Sequence, residues 1–150
     1  MDNRGIFVNK SMKPFYYNAT VRRVVDGDTV ILDIDLGFDI VLRNQSIRLK
    51  GVDAPECRTR NELEKKAGKL AKFKVKEFIE EGVEVVIKTS LDKKGKFGRI
   101  LGTIHTKDTN INEFLIENNY AVFYHGQSKD EVWQKHEENF KKLEERGELT

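Results

Sequence analysis

Three carboxylates and two arginines stand at places in this chain where they could share work. Asp28 follows an Asp26–Gly27 pair, and Asp53 and Glu56 flank Ala54–Pro55. Two carboxylates, with carbonyls and waters, suit a hard cation such as Ca²⁺ or Mg²⁺. A third that does not bind the ion can act as general base on a water. Arg48 and Arg99 lie in strand-like runs. A guanidinium grips phosphate with two parallel hydrogen bonds and stabilises charge that builds on phosphorus. A cation, a base and two arginines in one cleft would make a phosphodiester-hydrolysing site. Each residue also has a plainer reading. Aspartates beside glycine form turns, Asp53 and Glu56 could be a solvated loop, and a strand arginine commonly faces water.

Other residues add less. Lys93, Lys94, Lys96 and Arg99 mark a basic, glycine-containing loop over Leu91–Gly98. Such a loop can hold backbone phosphates or simply keep a surface soluble. Tyr120, Phe123 and Tyr124 favour the core over base stacking, although any that is exposed can stack. Asp33, Asp35, Gly37 and Asp39 resemble a calcium loop only faintly. The series lacks the closing Glu, and its alternation is that of a hairpin. His105, His125 and His136 show no metal spacing and are expected in core or surface roles. Cys57 has no evident His partner, which argues against a nucleophile.

The elements that must position these residues can be read from periodicity. Ala19–Val25 and Thr29–Leu36 are β-branched runs on either side of Asp26–Gly27, a hairpin signal. A third strand starts at Asp39–Leu42 and resumes at Ser46–Leu49. Gly51–Glu56 reads as a loop. Glu62–Glu81 has apolar residues at helical spacing and stops at Gly82. Strands are expected at Val83–Lys88 and Arg99–His105. Capping boxes at Asn110–Glu113 and Ser128–Glu131 open two more helices. In the last of these Val132, Trp133, His136, Phe140 and Leu143 share a face. Three strands, a helix, two strands and two helices, with mostly hairpin links, predict an α+β fold. The best fit is a five-stranded OB-fold β-barrel with three α-helices.

Size and composition agree with one such domain. A chain of 150 residues buries about 70% of its unfolded surface. Residues 1–17 lack periodicity and read as an N-terminal arm, with the domain over 18–150. A single cysteine excludes an intrachain disulfide and a multi-cysteine zinc site. No run approaches the roughly 20 apolar residues of a membrane helix, so no membrane partner is expected. The start has no apolar run fit for a signal peptide, which makes the cytoplasm the expected compartment. A net charge of +2, from 27 Lys and Arg against 25 Asp and Glu, selects no partner by itself.

Three segments together resemble the staphylococcal nuclease (thermonuclease) family. They are Val25-Asp26-Gly27-Asp28-Thr29, Ile47 through Glu56, and Asp92-Lys93-Lys94-Gly95-Lys96-Phe97-Gly98-Arg99. The resemblance runs from about Ala19 to Leu143. It implies a Ca²⁺-dependent nuclease, with Mg²⁺ or another divalent ion as the alternative. The expected substrate is single-stranded or locally melted DNA, with RNA as a second substrate, and the products carry 3′-phosphates. It further implies that Asp28, Asp53 and the Ala54 carbonyl hold the ion, the last where the family usually has a Thr. Glu56 would activate or position the attacking water. Arg48 and Arg99 would bind the scissile phosphate. Lys96 would contact a terminal phosphate, beside Phe97 where the family usually has a Tyr. Tyr124 would lie near the base. A monomer is expected. The alternative is a non-catalytic OB-fold module that binds nucleic acid or protein. The full set of site residues argues against it, because like charges held together cost stability that a retired site has no reason to bear.

Overall fold

The computed structural model describes residues 14–91 and 99–149. The chain begins with β1 (Tyr16–Asp26), β2 (Thr29–Gly37) and β3 (Ile40–Leu49), then a two-residue strand β4 (Val52–Asp53) and α1 (Glu62–Phe78). It continues through β5 (Glu84–Leu91), β6 (Ile100–His105), α2 (Ile111–Glu117), a two-residue strand β7 (Val122–Phe123) and α3 (Lys129–Glu145). Five strands close a barrel in the order β1-β2-β3-β6-β5. Its neighbours are antiparallel except β3 and β6, which run parallel with Ile47 opposite Ile100. This is the α+β, five-stranded OB-fold barrel with three helices that the periodicity predicts.

The core follows from strand alternation. Val21, Val30, Leu32, Ile34, Ile47, Leu49, Ile87 and Ile104 are fully or almost fully buried. They point inward at every second position. Helix α1 covers the barrel with its small residues Ala67, Gly68 and Ala71 and with Val75. Small side chains let the helix approach closely, and this closeness matters at the site below.

Several boundaries differ from the sequence reading, each for a local reason. β1 starts at Tyr16, inside the segment read as an arm, because Tyr16–Thr20 pairs with Glu84–Lys88 of β5. The expected break in the third strand at Arg43–Gln45 is a bulge inside a continuous β3. Two residues, Arg43 and Asn44, stand opposite Asp33 between the pairs Leu32–Gln45 and Ile34–Leu42. Asn44 takes a positive φ of 53°, and its N–H donates to Asp33 Oδ1 at 2.8 Å. Asp33 therefore belongs to a bulge, as the hairpin reading of the false calcium loop requires. Helix α1 ends at Phe78 and not at Glu81. Ile79 is fully buried and extended, with φ −137°, so core burial pulls the chain out of the helix before Gly82 is reached.

The largest difference is in Gly51–Glu56, expected as loop. Val52 and Asp53 form β4, which pairs with Val122 and Phe123 of β7. This small second sheet fixes Asp53 outside the barrel. Among the described residues no helix is long and apolar enough to cross a membrane.

Candidate active site

Asp28 sits where β2 leaves the Asp26–Gly27 turn. Gly27 is needed because α1 packs onto that turn. A Cβ there would lie 2.8 Å from the Cβ of Ala71 and 3.0 Å from that of Ala54. The close packing buries Asp28 to 8% exposure. Its Oδ2 accepts the Ala54 N–H at 2.9 Å, and its Oδ1 accepts the Thr29 hydroxyl at 3.0 Å. Burial raises its carboxyl above the usual range, and the Asp53 charge adds to this. Arg48 and the two hydrogen bonds offset only part.

Arg48 projects from β3, opposite Thr29. Its Nη2 donates to the Val52 carbonyl at 3.0 Å and to Asp53 Oδ1 at 3.2 Å. The same nitrogen is 3.4 Å from Asp28 Oδ2. One guanidinium nitrogen thus bridges two carboxylates. Among the described residues its other nitrogens make no hydrogen bond, so part of the fork remains available to an anion.

Asp53 is held from both sides. Oδ1 faces Arg48, and Oδ2 is 2.8 Å from His136 Nε2. A carboxylate only accepts, so Nε2–H is the donor. Burial pushes this carboxyl up. The hydrogen bond and attraction of His136, with those of Arg48, more than offset it, and Asp53 stays below the usual range. His136 is buried on α3, between Trp133 and Phe140 at ring-centroid distances of 6.3 and 6.0 Å. Among the described residues its Nδ1 finds no hydrogen-bond partner. The sequence reading assigns His136 no site role. Its inward position on the last helix is visible in the spacing, but the partner 83 residues away is not.

Glu56 is exposed. Partial burial raises its carboxyl, and the negative charges of Asp28, Asp26, Glu64 and Asp53 add to the effect. Its position thus disfavours ionisation, which moves a carboxylate toward the range useful in proton transfer near neutrality. Ala54 is buried, with its N–H committed to Asp28.

Arg99 immediately precedes β6, whose Ile100 and Leu101 pair with Ile47 and Arg48. The two arginines are therefore brought to adjacent strands. Arg99 is exposed and makes no hydrogen bond or ion pair among the described residues. Tyr124 follows β7, and its N–H donates to the Gly51 carbonyl at 2.8 Å, which ties it to the start of β4. Phe123 and Tyr124 are exposed at 55% and 42%, whereas Tyr120 is buried. The core expectation thus holds for Tyr120 alone, since pairing in β7 turns Phe123 outward. Lys96, with Lys93, Lys94 and Phe97, lies outside the described residues.

Asp28 and Asp53 offer carboxylate oxygens, the donors that a hard cation requires. Among the described residues no three His, Cys, Asp or Glu side chains gather as a metal group. Any ion here would complete its shell with carbonyls and waters. The two carboxylates already converge on one positive nitrogen, and Asp28 bears an electrostatic penalty that added positive charge would relieve. The arrangement fits a hard divalent cation.

The chain is similar to known proteins. The family described as staphylococcal nuclease homologue matches residues 46–148. That segment holds Arg48, Asp53, Glu56, Arg99 and His136, and leaves out Asp28. Endonuclease YhcR of Bacillus subtilis is 34% identical over 114 residues, covering 72% of this chain and 9% of that protein. An uncharacterized protein of Methanocaldococcus jannaschii is 31% identical over 130 residues, covering 73% of this chain and 60% of the relative. The chain thus spans less than two thirds of either relative.

Proposed function

The chain belongs to the staphylococcal nuclease homologue family, and on that premise we propose that it is a metal-dependent nuclease. It hydrolyses phosphodiester bonds of single-stranded or locally melted DNA, with RNA as a second substrate, and leaves 3′-phosphate ends. The observation that carries this reading is the bridge of Asp28 and Asp53 by one Arg48 nitrogen, with the raised carboxyl of Glu56 nearby. The name of the Bacillus subtilis relative, an endonuclease, supports it.

Asp28, Asp53 and the Ala54 carbonyl would hold the ion, with Ca²⁺ the first choice and Mg²⁺ the second. When bound, such an ion neutralises phosphate charge and orients a nucleophilic water. Glu56 takes or directs the proton of that water. Arg48 uses its uncommitted nitrogens on the scissile phosphate, and Arg99 approaches from the neighbouring strand. Both stabilise the extra negative charge of the pentacoordinate phosphorus. Removal of one such donor commonly costs about 2.7–4 kcal/mol of transition-state stabilisation. Lys96 contacts a terminal phosphate, and Tyr124 offers its exposed ring to a base. The protein acts as a monomer.

The test is cleavage of labelled single-stranded DNA with Ca²⁺, Mg²⁺ or EDTA, with Glu56→Gln and Arg99→Ala as controls. Ca²⁺-dependent cutting to 3′-phosphate ends, lost in both folded variants, is the expected result. No cutting with any ion, or near-wild-type cutting by Glu56→Gln, would overturn the assignment. Salt-sensitive binding without cutting would indicate an OB-fold binding module.

A further inference from the structure

We propose that the cleft between residues 57–60 and α1 is a second phosphate-backbone subsite, which grips the single strand beyond the scissile bond. The proposal rests on the nuclease reading and extends it to substrate length.

The cleft starts one residue past Glu56. It is open, has a volume of about 560 Å³, and is lined by Cys57, Arg58, Thr59, Arg60, Lys65 and Lys69. Four of the six are cations, and none is a carboxylate. Thr59 orders the loop wall by accepting the Asn61 N–H at 3.2 Å. Asn61 in turn caps α1 by accepting the Glu64 N–H. Lys65 and Lys69 stand one turn apart on the helix wall. Lys72 follows; burial and the Asp26 carboxylate raise the Cys57 thiol, and the Lys72 charge opposes them in smaller measure.

This charge pattern is unfavourable for the free protein. Like charges four residues apart weaken a helix by about 0.2–0.5 kcal/mol. Lys65 has only a distant partner, Glu62 at 4.0 Å. Arg58, Arg60 and Lys69 have no ion pair or hydrogen bond among the described residues. By contrast Lys74, on the same helix, is matched by Glu77 at 3.3 Å. Unmatched cations beside a carboxylate-rich centre divide the surface into a place for a cation and a place for anions. A polyanionic strand crossing both would meet each in turn.

The lining also limits what is read. It contains no aromatic ring and no Asn or Gln side chain. With its cations set on backbone phosphates, its effect on binding should be sensitive to salt and the same for oligothymidylate and oligoadenylate.

The experiment uses the full chain with Glu56→Gln to prevent cutting. Fluorescent oligothymidylates of about four and about sixteen nucleotides span the range of OB-fold sites. Dissociation constants are measured across salt concentrations for this protein, for added Arg58→Ala/Arg60→Ala, and for the matching double Lys variant. The alanine pair is expected to weaken the longer oligomer about fivefold or more, with an effect that grows from short to long. Its salt slope should fall by about 0.7 for each phosphate no longer neutralised, and the lysines should restore it. An oligoadenylate should show the same weakening. An unchanged slope and affinity in a folded alanine variant would overturn the proposal, as would an equal weakening at both lengths. Cleavage by the wild type is measured in parallel. Metal-dependent cutting with an unchanged alanine variant removes the cleft alone. Absence of cutting removes the nuclease reading, and the slope still decides whether the cleft binds the strand.

Discussion

His136 Nε2 lies 2.8 Å from Asp53 Oδ2, joining α3 to β4 across 83 residues of chain. The imidazole is locked by burial between Trp133 and Phe140. It leaves Asp53 Oδ1 for Arg48 and so sets the carboxylate's rotation. On the proposed function Asp53 holds the ion, and a group that orients such a ligand typically contributes 10–100-fold to affinity or activity.

His136→Leu should therefore lower divalent-ion affinity and turnover by about 10–100-fold. Calorimetric titration with Ca²⁺ gives the first reading and cleavage the second. The substitution also removes the larger of the two influences that hold the Asp53 carboxyl low, leaving that of Arg48. A lowered carboxyl contributes stability that is present above its unfolded pKa and is lost as pH falls through its folded value. Acid unfolding of His136→Leu should accordingly begin at higher pH. An unchanged ion affinity would separate His136 from the site.

Asp28→Asn should raise stability while abolishing cleavage. The folded-state pKa of Asp28 is raised, so the folded protein binds more protons than the unfolded chain between the usual Asp value and the folded one. Stability falls as pH rises through that window, and the cost is fully present above the folded value. Asn keeps the local hydrogen bonds, since Oδ1 can accept the Ala54 N–H while Nδ2 donates to the Thr29 hydroxyl. The melting temperature at pH 7 should increase, by about 2–4 °C for each kcal/mol gained. The gain should shrink toward about pH 4. A lower melting temperature at pH 7 would show that the Arg48 pair outweighs the burial cost.

Gly68→Ala should damage activity although it lies on a helix. Alanine normally improves a helix by about 1 kcal/mol over glycine. Here its Cβ would lie 2.5 Å from the Glu56 carbonyl oxygen and 2.7 Å from that of Pro55. Backbone cannot rotate away, so the Glu56 segment must shift. A displacement near 1 Å costs about 100-fold in a positioned site. A loss of about 1–3 kcal/mol in stability should accompany it. Steady-state cleavage and urea unfolding measure the two effects.

Asn112→Leu should be among the most destabilising single changes. The side chain is 5% exposed. It accepts the Ile104 N–H at 3.1 Å and donates to the Gly102 and Lys50 carbonyls, each at 3.0 Å. It thus joins α2, β6 and the end of β3. Leucine leaves the Ile104 N–H and the Lys50 carbonyl short of partners at about 1–3 kcal/mol each, while the Gly102 carbonyl keeps the Lys50 N–H at 2.8 Å, so a loss of about 2 kcal/mol or more is expected from urea unfolding.

The five barrel strands, the helices and the barrel class are determined by the sequence, because alternation and helical spacing act over neighbouring residues. The capping residues Asn110 and Ser128 follow the same local logic, accepting the N–H groups of Glu113 and Glu131. The residue types at the site are also legible, since carboxylates at strand ends and arginines on strands follow from spacing alone. Only the tertiary structure decides which of them meet. Asp28 and Asp53 reach one Arg48 nitrogen because the barrel closes and α1 presses the Gly27 turn onto Ala54. Asp53 is fixed by pairing between β4 and β7, strands of two residues each, too short to leave a periodicity. His136 carries the signature of a core residue, and its bond to Asp53 depends on how α3 crosses the small sheet. Hydrogen bonds and burial between distant segments depend on packing, and packing is a property of the closed fold rather than of any window of sequence.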